Sequence, residues 1–250
     1  MNALKFTVTA MATGLALASG ITAPAFAHDT SADNADPVDA TTINALVKHN
    51  PGSDADEITQ IVEQMAQKSD SSAQEVANQM LAEAEASAKA ASGSRLRSSG
   101  GGTVTLANAN QIGDIFISPA STLFIEHGHT GIYYAKSSIV EAPGLNQKSR
   151  AIGAGKVKVG KGTVLQYVRG IQSVDAAKAG KYAYDKLRNK PYNTHFASNK
   201  DASGSSMNCS QLVWAAYKKA LSIDLDGNGG SGVYPYDIKG SSRTATYKTL

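Results

Sequence analysis

Apolar positions along the chain fall into three regimes. From Phe6 to Ala23 they run almost without interruption by charge, from Ile58 to Leu81 they recur at helical spacing, and beyond Gly102 they come in short runs broken by Gly, Pro and Asn. The middle regime predicts a helical hairpin. Its first helix opens at Ser53-Asp54-Ala55-Asp56-Glu57, where Asp54 and Glu57 have capping-box spacing, and presents Ile58, Ile61, Val62 and Met65 on one face. The second repeats the device with Ser72 and Glu75, runs through Val76, Met80 and Leu81, and is expected to end near Gly93. The apolar stripe is narrow, and about 40 residues make too little core to stand alone, so the hairpin is expected to lean on another part of the chain.

The third regime predicts strands at Asp114–Ser118, Thr130–Ala135, Ser138–Glu141, Lys156–Val159 and Thr163–Val168. Two helices accompany them. One is expected from Val174 to Arg188 with Ser173 as its cap; the other follows Asn208, a good N-cap, with Leu212, Val213, Ala216, Tyr217 and Ala220 on a buried face. An α+β domain over residues 103–250, with a small antiparallel sheet packed on helices, has the natural size for one core. Ser94 to Gly102, rich in Ser, Gly and Arg, reads as the linker, with an acidic helical segment over residues 28–93 before it. Residues 28 to about 42 show no apolar period and are expected to be a flexible start.

The first regime is short, carries Lys5 ahead of it and ends Ala25-Phe26-Ala27, which predicts a secretory signal peptide over residues 1–27 and an extracytoplasmic or cell-wall-associated protein. No later stretch approaches the roughly 18 apolar residues of a membrane span. Charge is uneven: His28 to Gly93 carries 12 Asp and Glu against 3 Lys, a net of −9, while Ser94 to Leu250 carries 20 Lys and Arg against 9 acids, a net of +11. Docking of the acidic segment on the basic domain as a removable pro-segment, or a solvated spacer, are the two readings this supports. Lys and Arg are scattered and not interleaved with aromatics, which argues against nucleic acid.

The single cysteine, Cys209, cannot form an internal disulfide in an exported protein, and it stands at a predicted helix N-terminus, where unpaired N–H groups favour a thiolate. A cysteine nucleophile needs a base and a group that orients the base. His129, at the start of a strand, His127 and His195 are the histidines available, and spacing alone does not choose among them. Glu141, an acid among apolar strand residues on the next strand, is the candidate orienting group, while Asp114 reads as support for strand entry. Asp224-Leu225-Asp226-Gly227-Asn228 matches the first half of a calcium loop. Its twelfth position is Pro235 where a bidentate Glu is needed, so Asp224, Asp226 and Asn228 are weak calcium candidates. His127 and His129 lack a third ligand at convincing spacing for zinc.

Taken in order, Gly113-Asp114-Ile115, Gly128-His129-Thr130-Gly131-Ile132-Tyr133, Val140-Glu141-Ala142 and Asn208-Cys209-Ser210-Gln211-Leu212-Val213 resemble the circularly permuted NlpC-type cysteine hydrolases, the YiiX/YycO-like proteins with a papain-like fold. The resemblance covers Gly113 to Leu250. It implies Cys209 as nucleophile, His129 as base and then acid, and Glu141 as the group that orients the imidazole, with no metal cofactor. Lys190-Pro191-Tyr192 resembles the G-x-P-Y element of the unpermuted enzymes, which implies Tyr192 as a substrate-facing residue. The implied activity is hydrolysis of amide bonds, in peptidoglycan stem peptides. An acyltransferase or thioesterase on lipid-linked substrates, and a non-catalytic wall-binding module, are the alternatives on the same fold.

Overall fold

Asp39 accepts a hydrogen bond from the Thr41 amide and opens a helix, Ala40–His49 (α1), that buries Thr42, Ile43 and Leu46. The structure is a computed structural model and describes residues 37–50, 53–69, 71–97, 102–119 and 128–250. Helices Ala55–Ser69 (α2) and Ala73–Arg97 (α3) form the hairpin that the caps predict. Both caps are made: Glu57 N donates to Asp54 at 2.9 Å, and Glu75 Oε2 accepts from Ser72 N at 3.0 Å. Two expectations are corrected. The start expected to be flexible does not reach residue 42, because α1 begins at Ala40 and three of its residues find a core that its local sequence does not announce. Gly93 does not stop α3, which runs on to Arg97 into the segment read as linker; an interior glycine costs only about 1 kcal/mol against Ala.

Ile43, Leu46, Ile58, Val62, Val76, Ala77 and Met80 make a core of their own among the three helices, completed by Ala197 from the rest of the chain, while Ile61 and Met65 pack at its edge. The hairpin does lean on another part, and Ala35–Leu250 form one compact unit. The predicted signal peptide, residues 1–27, lies outside the described residues.

The strands are Thr103–Thr105 (β1), Ile115–Ser118 (β2), His129–Ala135 (β3), Ser138–Glu141 (β4), Arg150–Gly153 (β5), Lys158–Gly160 (β6), Val164–Val168 (β7) and Thr244–Thr249 (β8). Six of them form an antiparallel sheet in the order β5-β4-β3-β2-β7-β8, and β1 pairs with β6 beside it. Alternation along the strands separates two apolar layers. Ile115, Ile117, Ile132, Val140, Val164 and Val168 pack against Ser173–Lys186 (α4) and Cys209–Leu221 (α5); Phe116, Tyr133, Ile139 and Leu165 pack with Leu106, Val157 and Val159.

Helix α4 lies directly on β3. A Cβ at Gly180 would stand 2.5 Å from the Tyr133 carbonyl oxygen, so only glycine allows the approach. A short helix, Pro235–Gly240 (α6), precedes β8. The structure is α+β, with an antiparallel sheet on helices after a helical hairpin, which fits a papain-like architecture.

Candidate active site

Three elements deliver the site, and local chemistry fixes each. Helix α5 begins at Cys209 because Asn208 caps it: the Asn208 side chain accepts from Gln211 N at 2.9 Å and the Gln211 side chain accepts from Asn208 N at 3.3 Å. The same Asn208 oxygen also accepts from Asn199 Nδ2, and Asn199 ties on to both backbone groups of Val233. Gln211 in turn accepts from Asn193 and donates to the Asp201 carbonyl. The long loop from Tyr192 to Met207 is thereby fastened to the first turn of α5, with Met207 N donating to Pro191 O at 2.9 Å.

His129 is the first residue of β3, and Glu141 the last of β4. Glu141 pairs across the ladder with Gly131, two residues from His129 and on the same face of the sheet. Gly131 is small for a reason: a Cβ there would lie 2.7 Å from the Phe116 ring and 3.3 Å from the Glu141 Cβ. The opening lets the carboxylate reach the imidazole, with Nε2 to Oε2 at 2.9 Å, while the Phe116 ring meets the imidazole edge-on at 5.5 Å.

Nδ1 is buried with no hydrogen-bond partner among the described residues, and Cys209 is near enough to the ring to favour its charged form. Burial lowers the imidazole's pKa, but the bonds and charges of Cys209 and Glu141 outweigh it and raise His129 to about 10. The ring is therefore held as an imidazolium near neutral pH.

Arg150 completes the arrangement, and sequence reasoning missed it. It stands opposite Glu141 on β5, and its Nε and Nη2 both donate to Glu141 Oε1, at 3.0 and 2.8 Å. Burial works against the Glu141 charge, yet His129 and Arg150 hold its carboxyl below the usual range. The signal was available in principle: a carboxylate that is only 2% exposed needs more than one neutral partner, and the adjacent strand is where a cation can stand.

The other candidates divide. Tyr192 is brought to the cysteine: burial, then the charge of Cys209, push its phenol well above the ordinary value, so it stays a neutral hydroxyl beside the sulfur. Phe196 and Tyr234, both unannounced by any local pattern, pack with Cys209 and Ala84. His195 is kept apart, its Nε2 4.0 Å from Glu57 of α2, and His127 lies outside the described residues. Asp114 supports strand entry as expected, accepting from Asn110 N, Gln111 N and the Tyr247 hydroxyl.

The half calcium loop does not converge. Asp224 accepts from Trp214 and Lys218, Asp226 from Lys200, and the Asn228 amide donates to Asp237, so an ammonium already takes the place beside Asp226. Among the described residues, no group of three or more His, Cys, Asp and Glu is arranged to hold a metal ion.

The uncharacterized protein YycO of Bacillus subtilis (strain 168) is 32% identical to this chain over 208 residues, 80% of this chain and 83% of the relative. The chain belongs to the YycO family. An aligned span of 80% in a 250-residue chain begins no later than residue 51 and ends no earlier than residue 200, so the YycO match takes in α2, α3 and strands β1 to β7. The crystal structure of metalloprotein yiiX from Escherichia coli O157:H7 is 17% identical and covers 56% of this chain and 97% of its own, with a TM-score of 0.36. No protein-family model matches the chain. No described helix is long and apolar enough to cross a membrane.

Proposed function

We propose that this chain is a secreted cysteine hydrolase of the permuted NlpC type that cleaves amide bonds, in peptidoglycan stem peptides. The observation that carries the reading is the run of groups from Cys209, at the first turn of α5, to an imidazole whose Nε2 is held by a buried Glu141 that is itself paired with Arg150. A cysteine that merely filled the core would need none of these partners.

The chemistry follows from the positions. The Cys209–His129 pair starts with its proton on the ring, and the thiolate attacks the carbonyl carbon to form a C–S bond while the carbonyl electrons move to oxygen. The Cys209 amide lies in the first helical turn, where N–H groups have no partner within the helix, and can donate to that oxyanion. Collapse expels the amine, which takes the proton from His129. Neutral His129 then draws a proton from water, whose oxygen attacks the thioester, and the thiolate leaves with the acid as product. Glu141 holds the ring in one orientation throughout, and Tyr192, packed against the Cys209 cluster, is the contact for substrate.

Purified cell wall incubated with the full chain should release peptide fragments with new amino termini, read by mass spectrometry, and Cys209→Ala should release none. Equal release by that variant would overturn the reading. Release of acyl chains instead of peptides would move the substrate class to lipid-linked esters.

A further inference from the structure

The nucleophile of the proposed reaction is sealed. Cys209 has no exposed surface, and the buried cluster it belongs to includes Ala84 from α3, which precedes the sheet domain in the chain. A reacting carbonyl carbon has to come within about 3–3.5 Å of the sulfur, which a cysteine with no exposed surface does not allow until something packed around it moves.

The seal is fastened at both walls of the cysteine cluster. Beside Tyr234, the Glu83 carboxylate accepts from Ser231 N at 3.1 Å and Gly232 N at 3.3 Å, and it lies so close on the chain that a Cβ at Gly230 would stand 2.1 Å from Oε1. Beside Tyr192, the Phe196 amide donates to Asn50 Oδ1 at 3.0 Å, and Asn50, fully buried, anchors itself by donating to Leu46 O. Ser53 meets Thr194 at 3.2 Å, and Ala197 sits within the apolar core of the three helices. Residues 194–197 and 231–234 are thus each gripped by the helical segment, and each supplies an aromatic wall of the cysteine cluster.

We propose that the surface formed by Phe196, Ser231, Gly232 and Tyr234 is a docking surface for a helix that presents a carboxylate, that α3 with Glu83 is its resident occupant, and that α1–α3 act as a plug which has to leave before Cys209 is used. The proposal rests on the hydrolase reading only for the identity of the competitor, a substrate carrying the amide bond. Glu83 and Ala84 are adjacent in sequence, so the residue that anchors the helix also positions the one that packs into the cysteine cluster.

Cys209 is the only cysteine, so alkylation of the full chain by iodoacetamide, followed by intact mass, reads its exposure with no substrate present. Wild type should react far more slowly than the same chain in denaturant. Glu83→Lys sets an ammonium against Lys200, which already donates to the Gly230 carbonyl, and Ala84→Arg forces a long side chain into the seal; each should raise the labelling rate tenfold or more.

Hydrogen exchange read by peptide keeps opening distinct from unfolding. The expected pattern is lost protection over α3 with β2, β3 and β4 still protected. Labelling that is fast in wild type, that is unchanged in both variants, or that rises only together with lost sheet protection would each overturn the plug. If wall digestion by the opened Glu83→Lys and Ala84→Arg chains fails while labelling behaves as expected, the hydrolase reading falls and the plug stands.

Discussion

His129 and Glu141 each carry a charge that burial alone would remove, so their ionisation is a property of the pair together with Cys209 and Arg150. The signs run in opposite directions. His129 has its folded value raised to about 10, so its contribution to stability is fully present below the ordinary imidazole value of about 6.5 and is lost as pH rises towards 10. Glu141 has its value lowered, so its contribution is fully present above the ordinary carboxylate range and is lost as pH falls below it. In Glu141→Gln, burial acts on the imidazole with less opposition. The alkaline limb of activity should then move to lower pH, with a rate loss on the order of 10²-fold, read from a pH–rate profile beside a pH–stability series. Cys209→Ala and His129→Ala should each abolish turnover, and the double variant should lose no more than either alone, because they act as one unit. Arg150→Ala removes two hydrogen bonds from a buried carboxylate. Arg150 is itself half exposed, which reduces the loss to about 1–2 kcal/mol by urea unfolding, with the Glu141 titration moved upward in carbon-detected NMR.

At the scale of elements, helix α4 sets propensity against packing. Alanine is worth about 1 kcal/mol over glycine in a helix interior, yet a Cβ at position 180 would meet the Tyr133 carbonyl at 2.5 Å and Ile112 Cγ2 at 2.8 Å, and a strand backbone cannot yield as a flexible side chain can. Gly180→Ala should therefore destabilise, by about 1–3 kcal/mol in chemical denaturation. This competition also explains which elements the sequence discloses. Strands β2, β3, β4 and β7 are apolar enough to be read within a residue or two, and the caps at Asp54, Ser72 and Asn208 announce three helices. Strands β5 and β8, Arg-Ala-Ile-Gly and Thr-Ala-Thr-Tyr-Lys-Thr, lie at the two edges of the sheet with mixed side chains and no run to see, and α1 and α6 take their burial from partners far away in the chain. At the site, Cys209, His129, Glu141 and Tyr192 could be named from spacing and resemblance, because each sits in a motif. Arg150, Phe196 and Tyr234 could not, because they reach the site through cross-strand pairing and loop packing, which leave no periodic trace.

At the scale of the molecule, charge and packing offer competing accounts of how the helical segment is held. The segment of −9 and the domain of +11 suggest long-range attraction, yet the contacts between them are made by carboxylate and amide groups on backbone N–H, by Ala84 and Ala197, and by the apolar core beneath. Where a histidine of the domain does approach an acid of the helices, His195 and Glu57 stand 4.0 Å apart with both side chains open to solvent, a geometry worth little and screened by salt. At about 0.1 M salt the screening length is about 10 Å, and at 1 M about 3 Å, so attraction between surface charges fades across that range while buried hydrogen bonds and apolar contacts hold or strengthen. Alkylation of Cys209 in the full chain should consequently change less than about twofold when salt is raised from about 0.1 to 1 M. A steep rise in labelling with salt would mean that charge, not packing, keeps the segment on the cysteine; net charge would then have been the better guide to the docking than the contacts around Glu83 and Asn50.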